Sequence, residues 1–584
     1  MRLTIIDWLV IGAYFALNVG IGFYYKARAS SSVSEFFLSG RNVPWWLAGT
    51  SMVATTFAAD TPLVVTGLVA KNGIAGNWIW WSFLMSGMLT VFFYARLWRR
   101  AGVMTDIEFA EIRYSGKPAA FLRGFRSVYL GVIVNCIILG WVNLAMVKIL
   151  GLIFGIDKNH ALLIVLGLIA LTSFISTLAG LWGVLVTDMV QFVIKMGMVI
   201  VLAVFAVNAV GGIDMMKEKL ISSGRGEALN LVPALNSVWM PMITFLVYVS
   251  VNWWATWYPG AEPGGGGYVA QRMFSAKDER HSMLATLWFN IAHYAIRPWP
   301  WILTALASLI LFPGLKDPET GYIRVLIDYL PASLRGLMIA AFAAAYMSTI
   351  ATQLNWGASY LINDFWRRFV KRDGSEQYYV RASQVATVLL TLVSAEITRH
   401  MDSIGGAWKV LIVTGAGTGG VLLLRWYWWR INAWSEVAAM ICAAVVSISL
   451  QVVFGFDTDQ PKQFALVMLT TVAITTIVWL AVTYLTSPEP NETLVAFYRR
   501  THPSRTGWAP IAALAPEVKV ASDGLNNLLD WVAGCALVYG VLFGVGKLLL
   551  GDVTTGLILL AISAISGIVI YRDLSRRGWA TVVE

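Results

Sequence analysis

The 584 residues are 58% hydrophobic and only 13% charged, with a mean hydropathy of +0.67, a balance that excludes a soluble globular protein and points to an integral membrane one. A formal net charge of +10 would suggest nucleic acid as the partner of a soluble chain. Here the basic residues lie in short segments beside apolar runs and act as a topology signal, so no nucleic-acid partner is expected.

Many apolar windows are long enough to cross about 30 Å of hydrocarbon, and they are continuous, without the alternation of a barrel strand, so the predicted spans are helices. Fifteen are predicted, beginning near residues 5, 45, 74, 125, 159, 183, 236, 281, 336, 378, 406, 433, 462, 527 and 552. The first resembles a signal peptide only loosely. It is too long for one, carries Asp7 and is preceded by Arg2 alone, so it is taken as a span. Every second connecting loop is rich in Lys and Arg (Arg96, Arg99, Arg100, Arg113 and Arg123 in one, Arg367, Arg368, Lys371 and Arg372 in another), which predicts the N-terminus outside and the C-terminus in the cytoplasm. The longest polar segment, 488–526, is expected to be a cytoplasmic linker with one amphipathic piece. Cys136, Cys442 and Cys535 are widely spaced within apolar runs and form neither a disulfide framework nor a zinc site.

Two spans break their own helical pattern. The second contains Ala54-Thr55-Thr56-Phe57-Ala58-Ala59-Asp60-Thr61-Pro62, where the proline frees a backbone carbonyl. The seventh runs into Trp257–Arg272, with two prolines, Glu262 and four consecutive glycines. Interrupted spans at matching positions of two five-helix units point to an inverted-repeat transporter with its site between them. On this reading the glycine-rich stretch lines the site, and Glu262 needs water, a cation or a solute donor. If the span instead ends at Tyr258, the stretch is a surface loop. No Gly-Lys-Ser/Thr follows it and no strand precedes it, which excludes a phosphate-binding loop. Gly415 to Gly420 in the eleventh span are expected to serve close helix packing.

Several polar residues lie within apolar spans. In the ninth, Ser348 and Thr349 stand three and four residues after Ala345, so one helical face offers two hydroxyls and a carbonyl to a small hard cation; packing of small polar residues is the alternative. Asp188 in the sixth span marks an ion path or reaches the cytoplasmic interface. Asn290, His293 and Arg297 lie in the eighth, where Arg297 could equally snorkel outward. Trp253, Trp254, Trp257 and Tyr258 flank the seventh-span break, either to stack on a solute or to pack against lipid.

These residues together resemble the sodium:solute symporter family. The resemblance is carried by Phe36-Phe37-Leu38-Ser39-Gly40-Arg41, Thr187-Asp188 with Gln191, Gln271-Arg272, and Ala345-x-x-Ser348-Thr349, in that order. It implies an all-α polytopic fold with a ten-helix, five-plus-five inverted-repeat core, one extra N-terminal helix and about four extra C-terminal ones. The expected divisions are 1–44, a first repeat over 45–210, a second over 211–430 and accessory helices over 431–584. It places a principal sodium site on Ala54, Phe57, Ala345, Ser348 and Thr349, and a second site or ion exit on Asp188, Ser348, Ala351 and Thr352, where Ala351 lacks the hydroxyl of relatives. Substrate groups would come from Asp60, Thr61, Asn135, Trp253, Trp254 and His293, and the residues themselves add Glu262 and Asn290. Thr56 stands where the proline carriers have an acid, and the fourth-span arginine of the sialic acid carriers has no counterpart.

The expectation is a monomeric symporter of the cell membrane that couples sodium to a small polar organic solute, a sugar or polyol before an amino acid or carboxylate, with no other cofactor. The rival is a proton symporter using Asp60 or Asp188. A membrane-embedded enzyme or a sensor is remote, because no paired nucleophile and base and no signalling domain is evident.

Overall fold

The computed structural model describes residues 3–29, 39–103, 105–237, 239–520 and 523–578. Phe36, Phe37 and Leu38 of the first motif therefore lie outside the described residues. Among the described residues ten helices are long and apolar enough to cross a membrane. Two further spans are bent pairs, Trp45–Thr56 with Thr61–Asn72 at 59° and Ile404–Thr414 with Thr418–Tyr427 at 51°. Three shorter apolar helices, Ile5–Ile21, Lys158–Thr172 and Met242–Ala255, complete the set, and each of the fifteen predicted segments coincides with one member of it. The fifth and sixth segments differ from expectation in lying within one helical run, Lys158–Ala209, in which no proline interrupts the backbone.

The second span unwinds after Thr56, at Phe57, and its second half starts at Thr61 with Pro62 in the first turn, where the missing N–H costs nothing. The seventh is helical through Ala255, irregular over 256–266 and helical again over Gly267–Ser275. No residue from 256 to 270 is exposed, so the glycine-rich stretch is an interior break and not a surface loop. Gly264 shows why glycine is required: its φ is +76°, and a Cβ there would lie 3.0 Å from the Tyr94 ring.

The break of the eleventh span is the counterpart against which the seventh rests. Gly417 N donates to Ala255 O at 2.7 Å, and a Cβ on Gly415 would come within 2.8 Å of Trp257 O. Gly415 and Gly419 thus serve close backbone approach, the role expected of the glycines in this span. A β-bridge between Val43 and Ala276 joins the start of the second span to the end of the seventh. The last two helices, Gly524–Leu549 and Val553–Arg577, dock on this core through Trp531 Nε1 to Met85 O at 2.8 Å and Trp299 Nε1 to Leu542 O at 2.6 Å. The amphipathic piece of the linker is the helix Asn491–Thr501, whose Phe497 is buried under the Arg113 guanidinium, 5.4 Å from the ring centroid.

Candidate ion and solute site

The unwound end of the second span leaves helix-terminal carbonyls without intrahelical partners, and their partial negative charge favours a cation there. Thr349 Oγ1, on the ninth span, lies within donor distance of Thr55 O (3.2 Å) and of Ala345 O (3.0 Å), joining the two spans. Ser348 Oγ and Ser51 Oγ each donate to a different oxygen of buried Asp188, both at 2.7 Å. Asp188 thereby ties the sixth span to the second and the ninth. Ala54, Phe57, Ala345, Ser348, Thr349 and Asp188 are thus gathered at one junction, while Ala351 and Thr352 follow about one turn further along the ninth span.

Sequence reasoning missed one member of this junction. Lys195 is buried, and its Nζ donates to Ala54 O and to Phe57 O, each at 3.2 Å. The signal was present: an ionisable residue in an apolar helix, two turns beyond Asp188 on the same face.

Above the same break lies a cavity of about 80 Å³, room for roughly five to eight waters. Its walls are largely aromatic, with Trp80, Phe83, Trp141, Tyr258, Tyr294 and Trp408 prominent. Phe83 and Tyr258 stack at 5.3 Å, and Tyr258 meets Trp408 edge-on at 5.7 Å, so Tyr258, Pro259 and Gly260 bring the seventh-span break to the cavity. Asp60, Thr61, His293 and Gln353 line it. Asp60 Oδ1 and Gln353 Oε1 are buried with no hydrogen-bond partner in the protein, and the Trp408 indole faces the Asp60 carboxyl. Buried polar groups are mostly paired, and two unpaired acceptors lining one cavity are available to hydrogen-bond something that enters it.

Arg297 does not snorkel outward. It is buried, donates to Val53 O at 3.3 Å and Thr56 Oγ1 at 3.2 Å, and reaches His293 Nδ1 at 2.7 Å. A guanidinium only donates, so that imidazole nitrogen accepts.

Five residues expected at the substrate site lie elsewhere. Asn135 donates to Gln353 O at 3.0 Å and packs against Gly357. Asn290 is turned toward Gly87, where a Cβ would meet its Oδ1 at 1.8 Å. Trp253 packs on Trp531 of the C-terminal pair at 5.6 Å, and Trp254 Nε1 caps Ser250 O of its own helix at 2.7 Å. In each case the helical phase points the side chain at a neighbouring helix, information that sequence position alone does not carry. Glu262 is buried beside Asp106, against Gly266 and Gly267. There it adjoins a polar network on the other side of the break: Asp106 accepts from Gly267 N at 3.2 Å and from Tyr360, and Arg126 lies between Asp106 (3.8 Å) and Glu436 (3.4 Å). Arg425 also meets Glu436, at 3.3 Å.

A helical bundle with broken spans around a buried, partly polar cavity is the architecture of a secondary transporter built from inverted repeats. The solved outward-open structure of a sodium-coupled sialic acid symporter has the same fold, with a TM-score of 0.66 at 18% identity over 84% of this chain and 99% of that one. A model of the sodium:solute symporter family matches residues 36–443, more than half of the chain, and the protein belongs to that family. It is a multi-pass membrane transporter and not an enzyme. Among its relatives are the sodium/glucose cotransporter of Vibrio parahaemolyticus, 24% identical over 77% of this chain and 86% of that one, and sodium/myo-inositol cotransporter 2 of Sus scrofa, 23% identical over 78% and 70%.

Proposed function

We propose that the protein imports a small, uncharged polyhydroxylic solute, a hexose or cyclitol, by symport with sodium. The observation that carries this reading is the cavity wall: aromatic faces suited to C–H-rich rings, with unpaired Asp60 and Gln353 acceptors suited to hydroxyl groups. The glucose and myo-inositol named for its relatives are solutes of this kind. A carboxylate solute fits less well. The Arg297 donors face Val53, Thr56 and His293, and Asp60 would repel an anion when ionised.

Sodium would enter at the junction of Ala54, Phe57, Ala345, Ser348 and Thr349, with Asp188 beside it. Binding there bridges the second and ninth spans and stabilises the conformation that admits solute; rearrangement of the breaks then opens the cavity to the other side. The repeats would comprise 45–210 and 211–430, in a monomer with its N-terminus outside and its C-terminus cytoplasmic, an orientation supported by loop charge. One charge moving through 100 mV supplies about 2.3 kcal/mol, and tenfold accumulation costs about 1.4 kcal/mol. One sodium ion therefore sustains more than tenfold accumulation before its own gradient is added.

The test is uptake of labelled hexoses and cyclitols by proteoliposomes at fixed pH. An inward sodium gradient is expected to drive accumulation. Accumulation that persists without sodium and collapses with a protonophore would establish proton coupling instead.

A further inference from the structure

The carbonyls assigned to the coupling ion already face a cation. Ala54 O in the last turn before the second-span break and Phe57 O at the break both accept from the same ammonium, Lys195 Nζ. The Phe57 ring centroid lies 5.6 Å from that nitrogen. The charged groups that act on it are Asp188 on its own helix and Arg297 on the eighth span, and Arg297 itself donates to Val53 O in the same terminal turn. The break thus holds two cationic side chains on consecutive carbonyls, and a third positive charge at the same atoms would be strongly repelled.

We propose that the Lys195 ammonium is a tethered cation occupying the ion position between the broken second span and the ninth, so that sodium reaches the carbonyls of Ala54 and Phe57 only by displacing it. A four-carbon stem with free torsions gives the ammonium an alternative position, and Asp188, two turns away along the same face, provides a counter-charge in that direction. Lys195 and sodium are then exclusive occupants of one site, and the lysine sets how weakly the site holds a diffusible ion. The inference rests on the reading of this junction as the coupling-ion position.

The experiment compares the full-length wild type with Lys195→Met and Lys195→Gln, which remove the charge at similar length, and Lys195→Arg, which keeps it. Thermal unfolding in detergent is measured in sodium chloride and in choline chloride at equal ionic strength. Sodium is expected to raise the Tm of the Met and Gln variants and to change that of the wild type and Lys195→Arg little. The half-saturating sodium concentration for the Met and Gln variants is expected to be at least tenfold lower than for the wild type. A lysine that merely pins the break predicts Met and Gln variants that are equally destabilised in both salts, or that fail to fold in either. Either result overturns the proposal, as does an unchanged sodium response. Uptake by the wild type that ignores a sodium gradient would sink sodium coupling of the native protein, while leaving the sodium response of the Met and Gln variants as a separate outcome.

Discussion

Replacing Gly419 by alanine adds one methyl group at the place where the seventh and eleventh spans touch most closely. An ideal Cβ on Gly419 would lie 2.0 Å from Trp254 O and 2.8 Å from its carbonyl carbon. Both atoms are backbone, so no rotamer change relieves the clash and the two breaks must separate. Overpacking of this kind costs about 1–3 kcal/mol, more than the helix preference of alanine over glycine, up to about 1 kcal/mol, returns. The adjacent glycine is the control. At Gly420 the nearest atoms to a Cβ are side-chain carbons of Trp479 at 3.6 Å and Trp254 at 3.8 Å, ordinary contact distances, so Gly420→Ala is expected to be neutral or stabilising by up to about 1 kcal/mol. Equilibrium unfolding in mixed detergent and dodecyl sulfate micelles, followed by tryptophan fluorescence, measures both. Gly419→Ala is also expected to weaken solute binding, because displacing Trp254 shifts Tyr258 at the cavity. Equal stability of the two variants, or the greater loss at Gly420, would refute the close-packing account of these breaks.

Trp408→Phe removes the indole N–H that faces Asp60 in the cavity; solute affinity is expected to fall about fivefold to tenfold for the loss of one hydrogen bond, measured by binding to the detergent-solubilised protein. Thr349→Val keeps the side-chain shape but loses the donor that faces Thr55 O and Ala345 O, and the sodium concentration for half-maximal uptake should rise severalfold. Glu111, in the loop before the fourth span, is pushed up by partial burial, but its hydrogen bonds and charge interactions with Arg368 and Arg123 outweigh this and hold its carboxyl below the usual range. A lowered folded-state value stabilises the fold above the ordinary carboxylate value and is lost as pH falls through the folded one. Glu111→Gln should accordingly lower the Tm at pH 7, and the difference from the wild type should shrink as the pH falls through the lowered folded-state value.

The spans themselves were legible because each is a long apolar run whose meaning does not depend on its neighbours. Pro62 and the glycines around 264 marked the breaks of the second and seventh spans for the same reason, since proline and glycine act on the backbone where they stand. What the sequence left hidden was rotation about helix axes. Asn135, Trp253, Trp254 and Asn290 are polar or amphipathic residues at the right depth, but they point at Gly357, Trp531, Ser250 and Gly87. Conversely, Trp80, Gln353 and Trp408 come from three spans that no local pattern connects, and only packing brings them to one cavity. Lys195 was the most readable omission: a charge inside an apolar helix rarely lacks a purpose.

The most direct test of the account is sodium-driven accumulation of an uncharged polyhydroxylic solute in proteoliposomes, with labelled D-glucose, D-mannose and myo-inositol as the first panel. The account predicts that at least one of them accumulates above its external concentration under an inward sodium gradient and returns to equilibrium when gramicidin collapses that gradient. Uptake of the whole panel that is identical with and without the gradient would contradict it.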